Sequence, residues 1–394
     1  MNNITEIELF NLGETVTGKT PSSNCPEDFG VNYMFVTPSD SFEYKIITKS
    51  ERYLSELGAN KLASKLLQPE SVLVTCIGSA MGKVVINKTK CITNQQINSI
   101  RVNKNKFDSS YVYYCLKNNY PLLRNAATGS TAVPLLNKKN FDHLKIKIHS
   151  NLLTQQKIAT VLSALDSKIE LNNRVNAEIE AMAKTLYDYW FVQFDFPDTE
   201  GKPYKTSGGK MVWNEELKRE IPEGWEAKKI SDLLPVLTGK EDANFATPKG
   251  IYPFYTCAEN VLRCDKSAFE GKSILLAGNG NFNIKLYEGK FNAYQRTYVL
   301  IPNNEEYYTI VYLAVKDKIK SLTNSSRGSI IKFITKGDIE DIIIALPPSG
   351  FSNLFGTLNT TTKKIQINNE ENQKLSELRD WLLPMLMNGQ VRVD

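Results

Sequence analysis

The chain has 394 residues, of which 41% are hydrophobic and 23% charged, and its formal net charge at pH 7 is +5. This length allows two or three domains with their own cores, and the composition is that of a soluble globular protein. The small basic excess excludes a protein that coats nucleic acid uniformly, so a polyanionic partner would require the basic residues to cluster on one face.

The cysteines and histidines form no metal or disulfide pattern. The six cysteines occur singly, and His143 and His149 are the two histidines. We therefore expect buried thiols in a reducing compartment and no metal site. The N-terminus has acidic residues where a secretory leader needs basic ones, and no apolar run approaches the ~18 residues of a membrane span. The sequence thus predicts a cytoplasmic protein that does not associate with membranes.

Residues 1–150 predict a first globular segment of the α+β type. Runs rich in β-branched residues and bounded by Gly, Asn or Ser predict strands at 71–77, 83–86, 97–102 and 144–148. A short helix is predicted at 110–117. The loops between these elements are rich in glycine.

Residues 151–191 predict a long helix without Pro or Gly. Apolar residues recur at steps of three and four, which is the spacing of a helix that packs in a coiled coil. The residues expected to pack against a second helix or a partner are Ile158, Leu162, Leu165, Ile169, Ile179, Met182 and Leu186. Asn172 and Asn176 interrupt this stripe.

The same helix recurs 196 residues later, at 350–394, where it is followed by a C-terminal tail. The string IELNN at 169–173 is matched by IQINN at 365–369. The corresponding packing residues are Leu354, Leu358, Ile365, Leu375, Leu378 and Leu382. We expect Pro384 to kink or end this second helix in its last turn.

Polar residues interrupt both stripes at matching positions, because Asn368 and Asn372 correspond to Asn172 and Asn176. Polar residues at core positions of paired helices fix their register at some cost in stability. We therefore expect the asparagines to join the two helices, and the alternative is that they face a third partner.

Residues 192–225 predict a connector punctuated by Pro and Gly, and residues 226–349 predict a second globular segment. This segment repeats the first with an offset near 200: SILL at 273–276 corresponds to SVLV at 71–74, and AYQ at 293–295 corresponds to TNQ at 93–95. A shared scaffold with different loops predicts two domains that perform the same task on two different targets.

Few residues suggest catalysis. Residues 13–20 match the phosphate-binding pattern G-x-x-x-x-G-K-[ST], but Pro21 follows at once, where that loop requires a helix. We interpret this stretch as a surface turn. Neither an adenine-methylation motif of the type [ND]-P-P-[YF] nor a Ser-His-Asp set is present. The sequence therefore predicts no catalytic centre.

Basic and polar side chains in glycine-bounded loops are the candidate DNA-binding residues, because Arg, Lys, Asn and Gln read base edges while Ser, Thr and Lys suit phosphates. The first segment contributes Lys19, Thr20, Ser79, Lys83, Gln95, Arg124, Ser130, Thr131 and Lys138, joined by Asn94 and Lys139. The second contributes Lys240, Asn279, Asn281, Lys285, Arg296, Arg327, Ser329 and Lys332, joined by Asn283, Gln295 and Lys336. The alternative is an ordinary solvated face, but the richest loops fall at corresponding places in both segments.

Several strings resemble those of the specificity subunits of type I restriction-modification systems. They are LTQQKIA (153–159), LYDYWFV (186–192), SGGKMVW (207–213) and IPEGWE (221–226). The string TGKTPS (17–22) resembles the T-G-G-T-P-S with which a target recognition domain of this family opens, with Lys19 in place of Gly. The first domain lacks the Pro-Glu-Gly-Trp entry that the second domain has.

This resemblance implies two pseudo-symmetric target recognition domains (1–150 and 226–349) separated by two long helices that pack as an antiparallel coiled coil. Each domain would read one half of a bipartite, asymmetric site in double-stranded DNA. Two modification subunits would bring S-adenosylmethionine, and restriction subunits would bring ATP and Mg. A helix of ~38 residues spans ~57 Å, enough to separate two readers by one DNA turn of ~34 Å. The alternatives are a coiled-coil protein adaptor and a nucleotide-dependent enzyme.

Overall fold

Two α+β segments alternate along the chain with two long helices. The computed structural model describes residues 4–78, 80–126, 135–325, 333–348 and 351–393. The chain folds into two compact units, unit 1 (Met1–Asn172 and Glu371–Asp394) and unit 2 (Asn173–Glu370). Each unit therefore contains one α+β segment and a part of each long helix.

The α+β segment of unit 1 consists of short strands and helices. The strands are β1 Ile4–Glu8, β2 Gly13–Thr17, β3 Phe29–Val36, β4 Ile46–Ile47, β5 Arg52–Leu54, β6 Val72–Thr75, β7 Val84–Asn87, β8 Cys91–Thr93, β9 Ile97–Val102 and β10 Lys145–His149. The helices are α1 Glu56–Lys61, α2 Ser109–Asn118, α3 Tyr120–Asn125 and α4 Lys138–Asp142. The predicted strands correspond to β6, β7, β9 and β10, and the predicted short helix corresponds to α2.

The main sheet of unit 1 has the strand order β2-β9-β6-β7-β4, and a smaller sheet has the order β5-β3-β8. The pairs β2–β9, β9–β6 and β6–β7 are antiparallel, whereas the pair β7–β4 is parallel. Every residue of β6 and β7 is buried. Their continuous runs of branched apolar residues agree with this, because a strand that is covered on both faces shows no polar alternation.

Unit 2 begins at Asn173 within the first long helix, α5 Leu152–Tyr187, which ends in a π-helical turn, Asp188–Val192. Its strands are β11 Met211–Asn214, β12 Arg219–Pro222, β13 Glu226–Lys229, β14 Val236–Thr238, β15 Tyr252–Tyr255, β16 Leu262–Cys264, β17 Phe269–Ala277, β18 Ile284–Ala293, β19 Thr297–Leu300 and β20 Ile343–Leu346. Its helices are α6 Ile230–Leu233, α7 Tyr308–Ser325 and α8 Lys336–Glu340, and it also contains the second long helix, α9 Ser352–Met387, as far as Glu370. The main sheet has the order β14-β19-β17-β18-β15-β16.

The two segments share one scaffold. The order β2-β9-β6-β7 of unit 1 recurs in unit 2 as β14-β19-β17-β18, and the β1–β10 pair recurs as β13–β20. In unit 1 the amide of Leu136 donates to the carbonyl of Cys76 (2.9 Å), and in unit 2 the amide of Ile334 donates to the carbonyl of Gly278 (2.9 Å). The prediction of two pseudo-symmetric α+β domains is confirmed.

The connector packs into unit 2 through aromatic side chains. The ring of Phe196 stacks between Tyr204 and Trp225, with centroid distances of 4.7 and 5.1 Å. Strands β11 and β12 pair as an antiparallel hairpin in this stretch. These contacts explain why a connector of this length is ordered although it contains little regular structure.

In unit 1 the two long helices contact each other in antiparallel orientation. Asp166 of α5 forms an ion pair with Arg379 of α9, with Oδ1 and Nη1 separated by 2.8 Å. Further along α5, the amide nitrogen Nδ2 of Asn172 donates to Oδ1 of Asn372 (2.9 Å). The residue number rises along α5 as it falls along α9, so the helices run in opposite directions.

In unit 2 the buried asparagines also bond between the helices. Nδ2 of Asn368 donates to Oδ1 of Asn176 (2.7 Å), and Nδ2 of Asn176 donates to Oδ1 of Asn369 (2.9 Å). Since such bonds form only at one relative position of the helices, they fix the register. The prediction that asparagines join the two helices is confirmed.

Most of the predicted packing residues of α5 and α9 are shielded from solvent. Those that are buried are Ile158, Leu162, Leu354, Leu358 and Ile365, and those that are half-buried are Leu165, Ile169, Ile179, Leu186, Leu375 and Leu382.

Three residues of the long helices require a correction. Met182 is 70% exposed and Leu378 is 44% exposed, so neither packs between the helices. The rotation of the helices brings their neighbours Ala183 and Arg379 inward instead, because a helix of 3.6 residues per turn drifts from a strict heptad. Of the two expectations for Pro384, that it kinks or ends α9, the second is wrong, since the helix continues to Met387 and Pro384 forfeits only one hydrogen bond in the last turn.

Candidate nucleic-acid interface

In unit 1 the loop that follows β2 crosses the loop that precedes β9. The amide of Lys19 donates to the carbonyl of Thr93 (2.9 Å), and Oγ1 of Thr20 donates to Oε1 of Gln95 (2.7 Å). A Cβ atom on Gly18 would lie 2.1 Å from the Thr93 carbonyl oxygen, so this crossing requires glycine. The crossing brings together the predicted residues Lys19, Thr20 and Gln95, and it leaves the Lys19 side chain exposed.

Unit 2 contains the same crossing after β14. The amide of Gly239 donates to the carbonyl of Thr297 (3.1 Å), and a Cβ atom on Gly239 would lie 2.0 Å from the carbonyl oxygen of Ala293. The predicted residue Lys240 follows and is exposed. The Thr-Gly-Lys string at 17–19 is therefore repeated at 238–240, with a spacing of 221 residues. The other repeated strings are about 200 residues apart, so an alignment at that offset does not place these two Thr-Gly-Lys strings opposite each other.

A second pair of equivalent contacts joins the loop after β6 or β17 to the segment before α4 or α8. Ile77 forms an isolated β-bridge with Leu135 in unit 1, and Asn279 forms one with Phe333 in unit 2. Leu135 is 44% exposed and Phe333 is 64% exposed. Both units therefore display an apolar side chain at the same position, next to a residue whose type differs between them.

Lys138 and Lys336 occupy the first position of α4 and α8. Nζ of Lys138 lies 2.7 Å from Oδ2 of Asp142, and Nζ of Lys336 lies 3.2 Å from Oε1 of Glu340. In the unit 2 pair the side chains are 55% and 34% exposed, and such pairs contribute about 1 kcal/mol or less. A phosphate can therefore replace Glu340 as the partner of Lys336 at little cost, whereas Asp142 is only 16% exposed and this estimate does not extend to Lys138.

In unit 2 these loops enclose an open cleft of about 510 Å³. The cleft is lined by Gly278, Asn279, Gln295, Arg296, Tyr298, Phe333, Ile334, Thr335 and Lys336. The amide of Gly278 donates to the carbonyl of Arg296 (2.8 Å), which holds the backbone of that arginine. Its guanidinium has no hydrogen bond or ion pair with any described residue and is exposed. The cleft thus combines four predicted residues, Asn279, Gln295, Arg296 and Lys336.

Two further predicted residues of unit 2 bond within the protein. Nδ2 of Asn281 donates to Oε1 of Glu259 (3.1 Å), and Nζ of Lys285 donates to the carbonyl of Ala258 (2.6 Å). Burial lowers the pKa of the Lys285 amine below its usual range. Asn281 therefore ties the 256–259 loop to the turn between β17 and β18, Lys285 ties the same loop to β18, and both side chains are engaged within the protein.

Lys83 and Arg124 of unit 1 lie beside a separate cleft. Lys83 lines a space of about 370 Å³ together with Tyr113, Lys117 and Tyr120. Nη1 of Arg124 donates to the hydroxyl of Tyr120 (3.1 Å). This group combines cations with aromatic rings, a combination that also suits phosphates and bases.

Six of the predicted DNA-binding residues lie outside the described residues. They are Ser79, Ser130, Thr131, Arg327, Ser329 and Lys332.

The resemblance of residues 13–20 to a phosphate-binding loop is not matched by the local structure. Residues Gly13–Thr17 form a strand, and no helix begins at Thr20 in the described stretch 4–78. A phosphate-binding loop requires a helix N-terminus at this point. Among the described residues, no group of three or more His, Cys, Asp or Glu side chains is arranged to hold a metal ion, and no helix is long and apolar enough to cross a membrane.

Fold and loops together define a protein with two copies of one domain, each presenting basic and amide side chains on anchored loops. Comparison with known proteins specifies the family. Residues 1–181 and 222–377 match the family model of the type I restriction modification DNA specificity domain. The chain belongs to this family, and it resembles the specificity subunits of type I restriction-modification systems.

Relatives in two organisms carry the corresponding names. The type I restriction enzyme MjaIX specificity subunit of Methanocaldococcus jannaschii is 29% identical over 420 aligned residues, which cover 98% of this chain and 93% of the relative. The type I restriction enzyme EcoDI specificity subunit of Escherichia coli is 40% identical over 177 residues, which cover 44% of this chain and 40% of the relative.

A solved structure has the same fold. The S subunit of a type I restriction-modification system from M. genitalium superposes with a TM-score of 0.60 at 18% identity, and the superposition covers 98% of this chain and 96% of that chain. At this level of identity the likeness concerns the fold.

Proposed function

We propose that this chain is the DNA-sequence recognition subunit of a type I restriction-modification complex. Each α+β segment reads one half of a bipartite, asymmetric site in double-stranded DNA. The long helices α5 and α9 set the spacing between the half-sites and dock two modification subunits. Restriction subunits complete the assembly, which acts in the cytoplasm.

In this proposal the chain carries out no chemistry itself. The modification subunits bring S-adenosylmethionine and methylate adenine at N6, and the restriction subunits bring ATP and Mg. Methylation requires the target base to be flipped out of the duplex. The task of this chain is therefore to bind the duplex in one register, so that the catalytic subunits reach the adenine in each half-site.

One observation carries the proposal: equivalent backbone positions display different side chains. Ile77 in unit 1 corresponds to Asn279 in unit 2, because both bridge to the segment before the next helix. Likewise the carbonyls of Gln96 and Arg296 accept equivalent amide hydrogen bonds of 2.8 Å. Arg and Asn are base-reading side chains, whereas Ile supplies only apolar contact. Such a difference on a shared scaffold is expected of two domains that read different sequences.

The test is an exchange of one domain. Residues 1–150 are replaced by those of a relative, the chain is produced with its modification subunits, and the methylated adenines are mapped by sequencing. We expect the first half-site to change while the second half-site and the gap stay the same. The reciprocal exchange of 226–349 is the matched control and should change only the second half-site.

The proposal is contradicted if both half-sites change, if neither changes, or if the complex shows no sequence preference on duplex DNA. Binding should also weaken steeply as salt rises, since each lysine or arginine that contacts a phosphate releases a counterion. Binding that is insensitive to salt would instead favour an adaptor that recognises proteins.

A further inference from the structure

We propose that Phe333 determines part of the sequence specificity of unit 2, by contacting the 5-methyl group of a thymine in the major groove. This inference rests on the proposed function. It adds an apolar contact to the base, which the polar loop residues do not provide. Phenylalanine is one of the side chains that make apolar contact with the thymine methyl group.

The backbone is held at Phe333 and at the residue that follows it. Phe333 forms a β-bridge with Asn279, and the amide of Ile334 donates to the carbonyl of Gly278 (2.9 Å). The hydroxyl of Tyr298 donates to the carbonyl of Ile334 (2.8 Å), and the Ile334 side chain is 3% exposed. The phenyl ring therefore projects from a fixed support, and its placement against a ligand costs little reorganisation.

The ring is exposed although the next residue, Ile334, is anchored. Phe333 is 64% exposed, and it lines the same cleft as Asn279, Arg296 and Lys336. Arginine and asparagine are the side chains that read guanine and adenine in the major groove, and lysine suits the adjacent phosphates. A solvent-exposed aromatic ring among such groups matches a duplex edge that is polar except for its thymine methyl groups.

A counterpart in unit 1 supports the assignment. Leu135 occupies the equivalent position, bridges Ile77 and is 44% exposed. Both domains thus expose an apolar side chain at this position. The next residue of each segment enters the core, with Leu136 at 1% and Ile334 at 3% exposure, so the alternation of the extended chain directs Leu135 and Phe333 outward in both domains.

The experiment removes the methyl group from the DNA. The complete complex with its modification subunits is used, and the second half-site is first defined by mapping the methylated adenines. Each thymine of that half-site, on either strand, is then replaced by uracil, which lacks only the 5-methyl group. At least one thymine is available, because each methylated adenine pairs with one.

We expect wild-type binding to fall about fourfold at one thymine position, the factor that corresponds to burial of one methyl group at about 0.8 kcal/mol. F333A should bind the thymine duplex at least fourfold more weakly and show no further loss with uracil at that position. F333L, which keeps apolar bulk, should retain part of the uracil response. I251A is the matched control, since Ile251 is another exposed apolar residue of unit 2 (74%), and it should keep the full response.

Three results overturn the inference. The first is a wild-type complex whose binding does not weaken with uracil at any thymine of the second half-site, a result that requires no variant. The second is an equal uracil response in F333A and wild type. The third is a loss of affinity in F333A at every sequence, which indicates base stacking rather than methyl recognition. A failure of the proposed function is recognised separately, because exchange of 226–349 would then leave the second half-site unchanged.

Discussion

Replacement of Arg379 by methionine is expected to destabilise unit 1 by about 3 kcal/mol. Nη1 of Arg379 lies 2.8 Å from Oδ1 of Asp166, and the hydroxyl of Tyr114 donates to Oδ2 of the same carboxylate (2.6 Å). The Asp166 network therefore joins α2, α5 and α9 within unit 1. Burial on its own would lower the pKa of the Arg379 guanidinium, but hydrogen bonds to Asp380 and Asp166 raise it, so the charged form is favoured.

The magnitude follows from burial. The side chains of Arg379 and Asp166 are 16% and 13% exposed, so neither is well solvated. Removal of one partner from a buried pair costs about 3–5 kcal/mol, because the other charge is left uncompensated. The lower end of this range applies here, since Tyr114 still satisfies one carboxylate oxygen in R379M. In the double variant D166L/R379M no charge is stranded, so its loss should not exceed that of either single variant.

The assay is native-state hydrogen exchange of the residues in 154–170 and 371–387, read by mass spectrometry. Local opening is the appropriate measure, because a chain with two units does not unfold in one two-state step. K168M is the control: it removes an interhelical pair with Glu371 (3.2 Å), whose side chains are 45% and 42% exposed, and a hydrogen bond from Nζ to Oδ1 of Asn172 (3.1 Å). Its effect should stay below about 2 kcal/mol, and thus below that of R379M. If the losses in D166L and R379M add up in the double variant, the two residues are not coupled and this account of unit 1 is refuted.

Three further outcomes are expected. Asn176→Ala leaves the buried amide of Asn368 without its acceptor, so it should destabilise unit 2 by about 1–3 kcal/mol. In the same hydrogen-exchange measurement the double variant N176L/N368L should lose less stability than N176A, and an equal loss would contradict the role of this hydrogen bond. Gly18→Ala and Gly239→Ala place a Cβ atom about 2 Å from a backbone oxygen. Each should weaken DNA binding at least about tenfold (~1.4 kcal/mol) and relax base preference in its own half-site alone. Binding to duplexes with single base changes measures this preference, and relaxation in both half-sites would count against separate readers. Insertion of matched helical turns into both long helices should change the gap between the half-sites by mapping of methylated adenines, and a change in the bases read would argue against the helices as spacers.

The long helices were predictable because their signal is local and repeated. The period of the apolar residues indicates a helix, and the matched IELNN and IQINN strings indicate that it occurs twice. The asparagines then indicate which side faces the partner helix. The bounds of α5 and α9 differ from the predicted ones by a few residues at most.

Helix rotation was less predictable, because it depends on contacts that are distant in sequence. Met182 and Leu378 fit the heptad spacing but are exposed, whereas Arg379 is drawn inward by Asp166. A polar residue at a shielded position is not visible in an apolar pattern unless its partner is known. For the same reason the spacing alone did not indicate that Ala183 is buried.

Residue type supplied the DNA-binding candidates, and the structure distinguishes those whose side chains are exposed from those that bond within the protein. Lys19, Lys240 and Arg296 are exposed on anchored loops, as expected of DNA-binding residues. By contrast, Asn281 and Lys285 are engaged by Glu259 and Ala258, and only the path of the 256–259 loop reveals this. Polar type was necessary for the prediction, but backbone geometry decides which polar groups remain available.

Phe333 was not predicted, because polar type was the criterion for a DNA-binding residue. A signal was nevertheless present: LLNKKNF at 135–141 and FITKGDI at 333–339 share two apolar residues, a helix-capping residue, a lysine and an apolar residue three positions later. The second apolar residue of each string enters the core, at 1% exposure for Leu136 and 3% for Ile334. The first residue is left outside by the alternation of an extended chain.

The duplication within the chain separates what the scaffold requires from what a target requires. Both units have glycine at this crossing, Gly18 and Gly239, because a Cβ atom at either position would collide with a carbonyl oxygen of the crossing loop. Gln96 and Arg296 share their backbone hydrogen bonds but not their side-chain contacts, since Oε1 of Gln96 accepts from Nδ2 of Asn94 (3.2 Å) and the Arg296 guanidinium bonds to none of the described residues. Positions that the scaffold holds through their backbone, such as 96 and 296, can change their side chain without loss of the fold. A protein that comes to recognise new DNA sequences needs such positions at its binding surface. The physical basis of divergence in this chain is therefore that backbone atoms hold the loops, which leaves the side chains free to differ.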